Sequence, residues 1–141
     1  MILNNYGKIV EEEWLKTKEI RKNIDLDYYV VMPNHFHGII IIETAGATRG
    51  VAQNVKTQNN QGAIRRIAPT TLQSNSLGSI IGQFKSVVTK RINKLSDEAK
   101  VKVWQRNYYE HILRNELDLY FTRRYIQNNP VKWELDENYK R

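Results

Sequence analysis

Two runs of β-forming residues, separated only by a Pro-Asn turn, place the strongest limit on how this chain can fold. The first run, Leu26 to Met32, is rich in Tyr and Val and ends at Pro33-Asn34. The second run, His35 to Glu43, resumes immediately after the turn. A connection this tight is typical of a β-hairpin. The sequence therefore predicts an antiparallel sheet built on this hairpin.

Helical patterns surround the hairpin. Lys8 to Lys22 reads as an amphipathic helix, and Leu77 to Leu95 carries the clearest apolar stripe at helical spacing. Val101 to Leu113 is predicted to form a further strand. Asn115 to about Asn129 is predicted to be a capped helix, because Pro130 disfavours helical geometry in the residue before it. The order helix, strand, strand, helix, strand, helix predicts an α+β fold with helices packed on an antiparallel sheet.

The segment from Thr44 to Ser76 differs in kind from the rest. It is rich in Thr, Gln, Asn, Gly and Ala and shows little periodicity. We therefore expect a flexible insertion at residues 44–76 within a single domain that spans residues 1–141. The length of 141 residues suits one domain with a sizeable core.

Composition narrows the possible function classes. The longest apolar stretch, Ile39 to Ile42, is strand-sized, so no membrane span or membrane partner is expected. No secretory signal is visible at the N-terminus, and we expect a cytoplasmic protein. The absence of cysteine excludes disulfides, thiolate metal sites and cysteine nucleophiles.

Positive charge is concentrated in the later part of the chain. The formal net charge is +7, from 22 Lys and Arg against 15 Asp and Glu. Residues 1–43 carry 5 basic and 7 acidic side chains, whereas residues 44–76 carry 4 basic and no acidic ones, and residues 77–141 carry 13 against 8. This pattern is typical of a nucleic-acid partner. A merely soluble basic protein is the alternative, and charge alone does not decide between them.

Two histidines, His35 and His37, are spaced for a shared strand face. Residues two apart on a strand point the same way, so both imidazoles can converge on one divalent ion. Phe36 between them is expected to face the core. Two surface histidines without a ligand are the alternative.

Tyr125 and Asn129 form a second candidate pair. They lie four residues apart, which places them on one helix face. The phenol could attack a phosphodiester, and the amide oxygen could complete a metal site begun by the histidines. The alternative is a tyrosine on a half-buried helix, with an asparagine that caps the helix end before Pro130.

Four segments resemble one known family, in the family's order. Val30 to Ile39 resembles the histidine-hydrophobic-histidine strand of the HUH nucleases. The other three resemble the central helix, the last strand and the nucleophile helix of the REP-associated branch of single-tyrosine transposases: Leu77 to Ser86, Trp104 to His111 and Tyr125 to Pro130. Apart from the insertion, the resemblance covers roughly Leu3 to Trp133.

The resemblance implies a ferredoxin-like sheet, a Mg²⁺ or Mn²⁺ cofactor and a substrate of single-stranded DNA folded into hairpins. Tyr125 matches the nucleophile, and His35, His37 and Asn129 match the metal ligands. It further implies a bacterial, nucleoid-associated enzyme, monomeric or homodimeric, which nicks and rejoins DNA through a 5′-phosphotyrosine intermediate. The residues expected to contact DNA are basic: Arg65, Arg66, Lys85, Lys90, Arg91 and Arg106.

Two other hypotheses about the function remain open. A catalytically inactive or truncated relative would bind hairpin single strands without cutting them. A generic basic nucleic-acid-binding module would carry the histidines incidentally. One departure from the family bears on the choice, since the family's first helix follows a strand, and only Met1 to Asn5 precede Tyr6-Gly7 here. That first strand, expected to be missing, would lie in the middle of the sheet.

Overall fold

The computed structural model describes residues 2–43, 53–55, 76–96 and 100–135. Within these ranges the chain forms three α-helices and four strands, and a short 3₁₀ turn, Trp133–Leu135, follows the last helix. The elements in chain order are α1 (Asn5–Ile20), β1 (Ile24–Val31), β2 (Phe36–Ile42), β3 (Gln53–Val55), α2 (Leu77–Leu95), β4 (Glu110–Ile112) and α3 (Glu116–Asn128).

The strands form one antiparallel sheet in the order β1-β2-β3-β4. The predicted hairpin is confirmed: Val31 pairs with Phe36. The Met32 N–H closes the turn by donating to the His35 carbonyl oxygen at 2.9 Å. With helices packed on this sheet, the fold belongs to the predicted α+β class.

Polar caps set where the helices begin. The Ser76 hydroxyl accepts a hydrogen bond from the Ser79 N–H, and α2 then has the bounds that its apolar stripe predicts. The predicted cap of α3 is also confirmed, because the Asn115 side-chain oxygen accepts from the Asp118 N–H at 2.8 Å. Such caps satisfy amide groups that the first helical turn leaves without a partner.

The larger core lies between one sheet face and the helices α1 and α2. At its centre is Trp14, which is fully buried and contacts Phe36 and Phe84 with ring centroids 4.7 and 5.4 Å away. The expectation that Phe36 faces the core is thus confirmed. The buried members of this cluster are Ile9, Val10, Trp14, Ile24, Ile40, Ile80, Ile81, Phe84, Val88 and Ile92.

A smaller apolar cluster holds α3 against the sheet. Ile39 of β2 and Ile126 of α3 pack together with Leu113, and all three are almost fully buried. Because side chains alternate along a strand, Ile40 points to the larger core, whereas Ile39 points to the α3 side. His37 lies two residues before Ile39 and therefore shares its face. The fold thus places α3 over the histidine pair.

Residues 100–109 do not join the sheet, and some of them are bonded to α2 instead. The predicted strand from Val101 to Leu113 is therefore wrong except at β4. The Lys85 ammonium donates to the carbonyl oxygens of Gln105 and Asn107, at 3.4 and 3.0 Å. Asn107 has a φ of 65°, in the left-handed region that a strand cannot use.

β3 lies inside the sheet, between β2 and β4. Its residues come from the predicted insertion: Asn54 pairs with Ile39 on one side and with His111 on the other. The rest of residues 44–76, except Ser76, lies outside the described residues, and its flexibility stays a prediction. None of the helices described is long and apolar enough to cross a membrane.

An ion-pair cluster joins α1 to α2. The nearly buried Glu13 carboxylate accepts from the Lys16 ammonium at 2.9 Å and from the Arg91 guanidinium at 2.6 Å. Burial by itself would raise the pKa of Glu13, but the hydrogen bonds and charges of Lys16 and Arg91 outweigh it. The net effect holds that pKa below its usual value.

This lowered pKa leads to a prediction about acid stability. The stabilisation is present above the unfolded-state pKa of about 4.3 and is lost as the pH falls through the folded-state value. We expect Glu13→Gln to lower the free energy of unfolding by about 1–2 kcal/mol at neutral pH and to weaken its decline in acid. Urea unfolding at neutral pH and at about pH 4 measures both effects. The exposed Glu19, changed to Gln, is the control, and equal pH dependence in the two variants would contradict the assignment.

Candidate active site

The two histidines lie together at the start of β2. His37 is 6% exposed and His35 is half-buried, and their ring centroids are 4.8 Å apart. The two rings thus lie close together, although His35 itself precedes the first residue of β2. The tight turn at Pro33-Asn34 positions His35, because the Met32 N–H is bonded to the His35 carbonyl oxygen.

The ring of His35 is in hydrogen-bond contact with its chain neighbour Asn34. The His35 Nδ1 lies 2.7 Å from the Asn34 Oδ1, and this amide oxygen can only accept a hydrogen bond. In the neutral tautomer with Nδ1 as the donor of this bond, Nε2 is the deprotonated ring nitrogen. A hydrogen bond of this kind orients a histidine for metal binding.

Helix α3 brings Tyr125 and Asn129 to the same place. The Tyr125 ring meets the His37 ring edge-on, with centroids 5.3 Å apart, and 43% of Tyr125 is exposed. Asn129 is 5% exposed, and its Oδ1 has no hydrogen-bond partner among the described residues. A buried oxygen in that state is costly unless a ligand satisfies it.

One cavity contains all four predicted site residues. His35, His37, Tyr125 and Asn129 line a space of about 1040 Å³, as large as the largest pockets that usually hold small ligands. The lining also includes Lys85, Trp104, Tyr108, Phe121, Arg124 and Lys132.

The side chains present fit a divalent cation. The described ranges hold no group of three or more His, Cys, Asp or Glu side chains that could bind a metal. The set formed by His35, His37 and Asn129 has a different composition, since its third donor is an amide oxygen. Imidazole nitrogens and amide oxygens are both ligands of divalent metals, and the unsatisfied Asn129 Oδ1 is the observation that supports such a site.

An ion pair anchors α3 beside the nucleophile candidate. The Arg123 Nε lies 3.1 Å from both carboxylate oxygens of Asp27, and its Nη2 lies 2.5 Å from one of them. The Asp27 side chain is 8% exposed, and hydrogen bonding to it raises the pKa of Arg123. Sequence reasoning missed this pair. The available signal was a charged residue, Arg123, on the same helix face as the apolar Leu119 and Ile126.

The basic residues expected to contact DNA are found in different settings. Lys90 and Arg106 are exposed, whereas Arg65 and Arg66 lie outside the described residues. Arg91 is paired with Glu12 and Glu13 of α1.

Lys85 also makes contacts within the protein. Besides bonding to two carbonyl oxygens, its ammonium lies 5.7 Å from the ring centroids of both Trp104 and Tyr108. Burial lowers the pKa of Lys85. DNA contact by Lys85 stays a prediction. Sequence reasoning did not single out Arg124 and Lys132, the cations that line the cavity near Tyr125.

Comparison with known proteins identifies one relative, an uncharacterised protein of Haemophilus influenzae (strain ATCC 51907 / DSM 11121 / KW20 / Rd). The two are 38% identical over 140 residues, which is 99% of this chain and 72% of that protein. No family model and no solved structure matches the chain. Identity at this level over almost the entire chain shows that the protein belongs to the same family as the Haemophilus influenzae protein.

Proposed function

We propose that this protein is a REP-associated tyrosine transposase of the HUH type. It would nick and rejoin single-stranded, hairpin-flanked DNA through a covalent 5′-phosphotyrosine intermediate, with a divalent metal as cofactor. The observation that carries the proposal is the meeting of His35, His37, Tyr125 and Asn129 in one cavity. His35 and His37 lie far from Tyr125 and Asn129 in the sequence, yet all four residues line the same cavity.

The reaction begins with the Tyr125 phenol. Its oxygen attacks the scissile phosphorus, a Tyr–O–P bond forms, and the bond from phosphorus to the 3′ oxygen breaks. The phenolic proton is lost to solvent, and the leaving oxygen takes up a proton to become a free 3′-hydroxyl. In rejoining, an incoming 3′-hydroxyl attacks the phosphotyrosine and releases the phenol. Because the phosphotyrosine keeps the energy of the phosphodiester, no ATP is needed.

The protein's contribution is to hold these groups in position. Tyr125 is exposed enough to meet a strand, and its ring rests on His37. The ion pair between Asp27 and Arg123 holds α3 against β1, and Arg123 lies two residues before Tyr125. Held by His35, His37 and Asn129, Mg²⁺ or Mn²⁺ would supply charge stabilisation at the scissile phosphate.

The second candidate function is that of a non-cutting relative, which binds hairpin single strands and leaves them intact. The observation that favours it is the positive charge, a net charge of +7 with Arg124 and Lys132 beside the cavity, because this charge suits binding of a strand whether or not the strand is cut. Against it, a pure binder has no use for the unsatisfied Asn129 oxygen beside two histidines.

A covalent-adduct assay tests the proposal. We expect labelled hairpin single strands and Mn²⁺ to give a protein–DNA adduct on a denaturing gel, and EDTA to abolish it. His37→Ala should lower the adduct yield at least ~10-fold, on the scale of losing a ligand or its support. The third histidine, His111, is exposed on β4, so His111→Ala is the matched control and should leave the yield unchanged.

The other outcomes separate the candidates. An adduct that persists in EDTA would contradict the role of the metal. Binding without any adduct would favour the non-cutting relative, and the absence of both would overturn the two functions together.

A further inference from the structure

Helix α3 presents an exposed face that the core does not use. Its residues recur at helical spacing, and three of them are large apolar or aromatic side chains: Leu117 is 62% exposed, Tyr120 49% and Phe121 59%. The opposite face carries Ile126, which is buried against the sheet. Burial in the core therefore does not explain the aromatic residues. The exposed face comprises Leu117, Tyr120, Phe121, Arg124, Tyr125 and Asn128.

Two rings and a cation on this face are held together. The Tyr120 and Phe121 rings meet at 66° with centroids 5.5 Å apart. The Arg124 guanidinium donates to the Tyr120 hydroxyl at 3.0 Å and lies 5.8 Å from that ring's centroid. Aromatic rings beside a cation form the kind of surface on which unpaired bases stack. The two acidic residues of α3, Glu116 and Asp118, lie in its first turn.

The aromatic face runs into the candidate active site. Phe121, Arg124, Tyr125 and Asn128 line the same cavity as the histidine pair. Phe121 lies four residues before Tyr125, which is about one helical turn, or roughly 6 Å along the axis. A base next to a phosphate at Tyr125 is therefore within reach of the Phe121 ring.

We propose that Tyr120 and Phe121 form a stacking platform for an unpaired base next to the scissile phosphate. This inference rests on the proposed function and deepens it, because it requires the substrate to be single-stranded at the point of cleavage. Charge favours DNA as the occupant, since Arg124 and Lys132 line the adjoining cavity and the chain carries a net charge of +7.

The test is a binding measurement in EDTA, where cleavage does not contribute. Fluorescence anisotropy compares a fluorescein-labelled oligothymidylate with an abasic strand of equal length, which keeps the phosphates but has no bases. We expect Phe121→Leu and Tyr120→Leu each to weaken binding of the oligothymidylate about tenfold and to leave binding of the abasic strand unchanged. Phe121→Trp keeps a ring and should retain affinity. Leu117→Ala, on the same face, is the control and should bind as the wild type does.

Three results would overturn the inference: unchanged affinity in both leucine variants, equal losses for the two probes, or an oligomeric state that depends on Phe121. The last would assign the face to a second copy of the chain. The proposed function is tested separately by the adduct assay. Stacking without an adduct would refute only the function, whereas an adduct without stacking would refute only the platform.

Discussion

Tyr125→Phe is expected to form no covalent adduct with hairpin single strands, although it binds them as the wild type does. The change removes one oxygen and keeps the ring that rests on His37, so the packing of α3 should survive. Without the phenol, the ring that packs on His37 has no oxygen that could attack a phosphate. We therefore expect complete loss of the adduct, with little change in the free energy of unfolding.

The adduct is measured on a denaturing gel with Mn²⁺, and DNA binding is measured by anisotropy in EDTA. Tyr28→Phe is the matched control, because it removes the same oxygen from a tyrosine of similar exposure, on β1 and outside the cavity lining, and keeps the ring. It should still form the adduct. If Tyr125→Phe still forms an adduct, another residue is the nucleophile, and Tyr108, Tyr109 and Tyr120 would be tested next.

Local signals in the sequence were enough to predict much of the fold. Two β-forming runs and the turn at Pro33-Asn34 predict the hairpin. The apolar stripe at helical spacing predicts α2, and the helix ends where the stripe ends. The cap at Asn115 is likewise local, since its partner, Asp118, lies three residues away. Each of these features is decided by residues that lie close together in the sequence.

The features that sequence reasoning missed depend on distant partners. Lys85 binds carbonyl oxygens 20 and 22 residues away, and these bonds draw residues 105–107 toward α2. β3 is only three residues long. Its partner β4 comes after helix α2 in the sequence, so no local pattern predicts β3. In both places tertiary contacts outweigh the local preference of the chain.

The same distinction between local signals and distant partners applies to the candidate site. Spacing and resemblance singled out His35, His37, Tyr125 and Asn129, because residues two apart on a strand and four apart on a helix share a face. The pairing of Asp27 with Arg123 spans 96 residues, and the burial of the Asn129 oxygen depends on how α3 packs. Neither is encoded in a short motif, so only the structure reveals them.

A large effect on stability is expected at Gly38, the residue after His37. The rings of Trp14 and Phe36 crowd its backbone. A Cβ added there would lie 2.4 Å from the Trp14 Cζ2 and 3.0 Å from the Phe36 Cε1. Trp14 is fully buried between Phe36 and Phe84, so its ring has little room to move. Gly38→Ala should therefore lower the free energy of unfolding by about 1–3 kcal/mol through overpacking.

Urea unfolding provides the measurement, and Gly82 provides the control. Gly82 lies exposed on α2, and a Cβ added there would have no atom within 4 Å. Gly82→Ala should raise the free energy of unfolding by up to about 1 kcal/mol, because alanine favours a helix interior over glycine. A double-mutant cycle identifies the clash: Trp14→Phe removes the ring atoms nearest Gly38, so Gly38→Ala should cost less in that background. An equal cost in both backgrounds would mean that contact with Trp14 is not the reason that β2 carries a glycine beside its histidine.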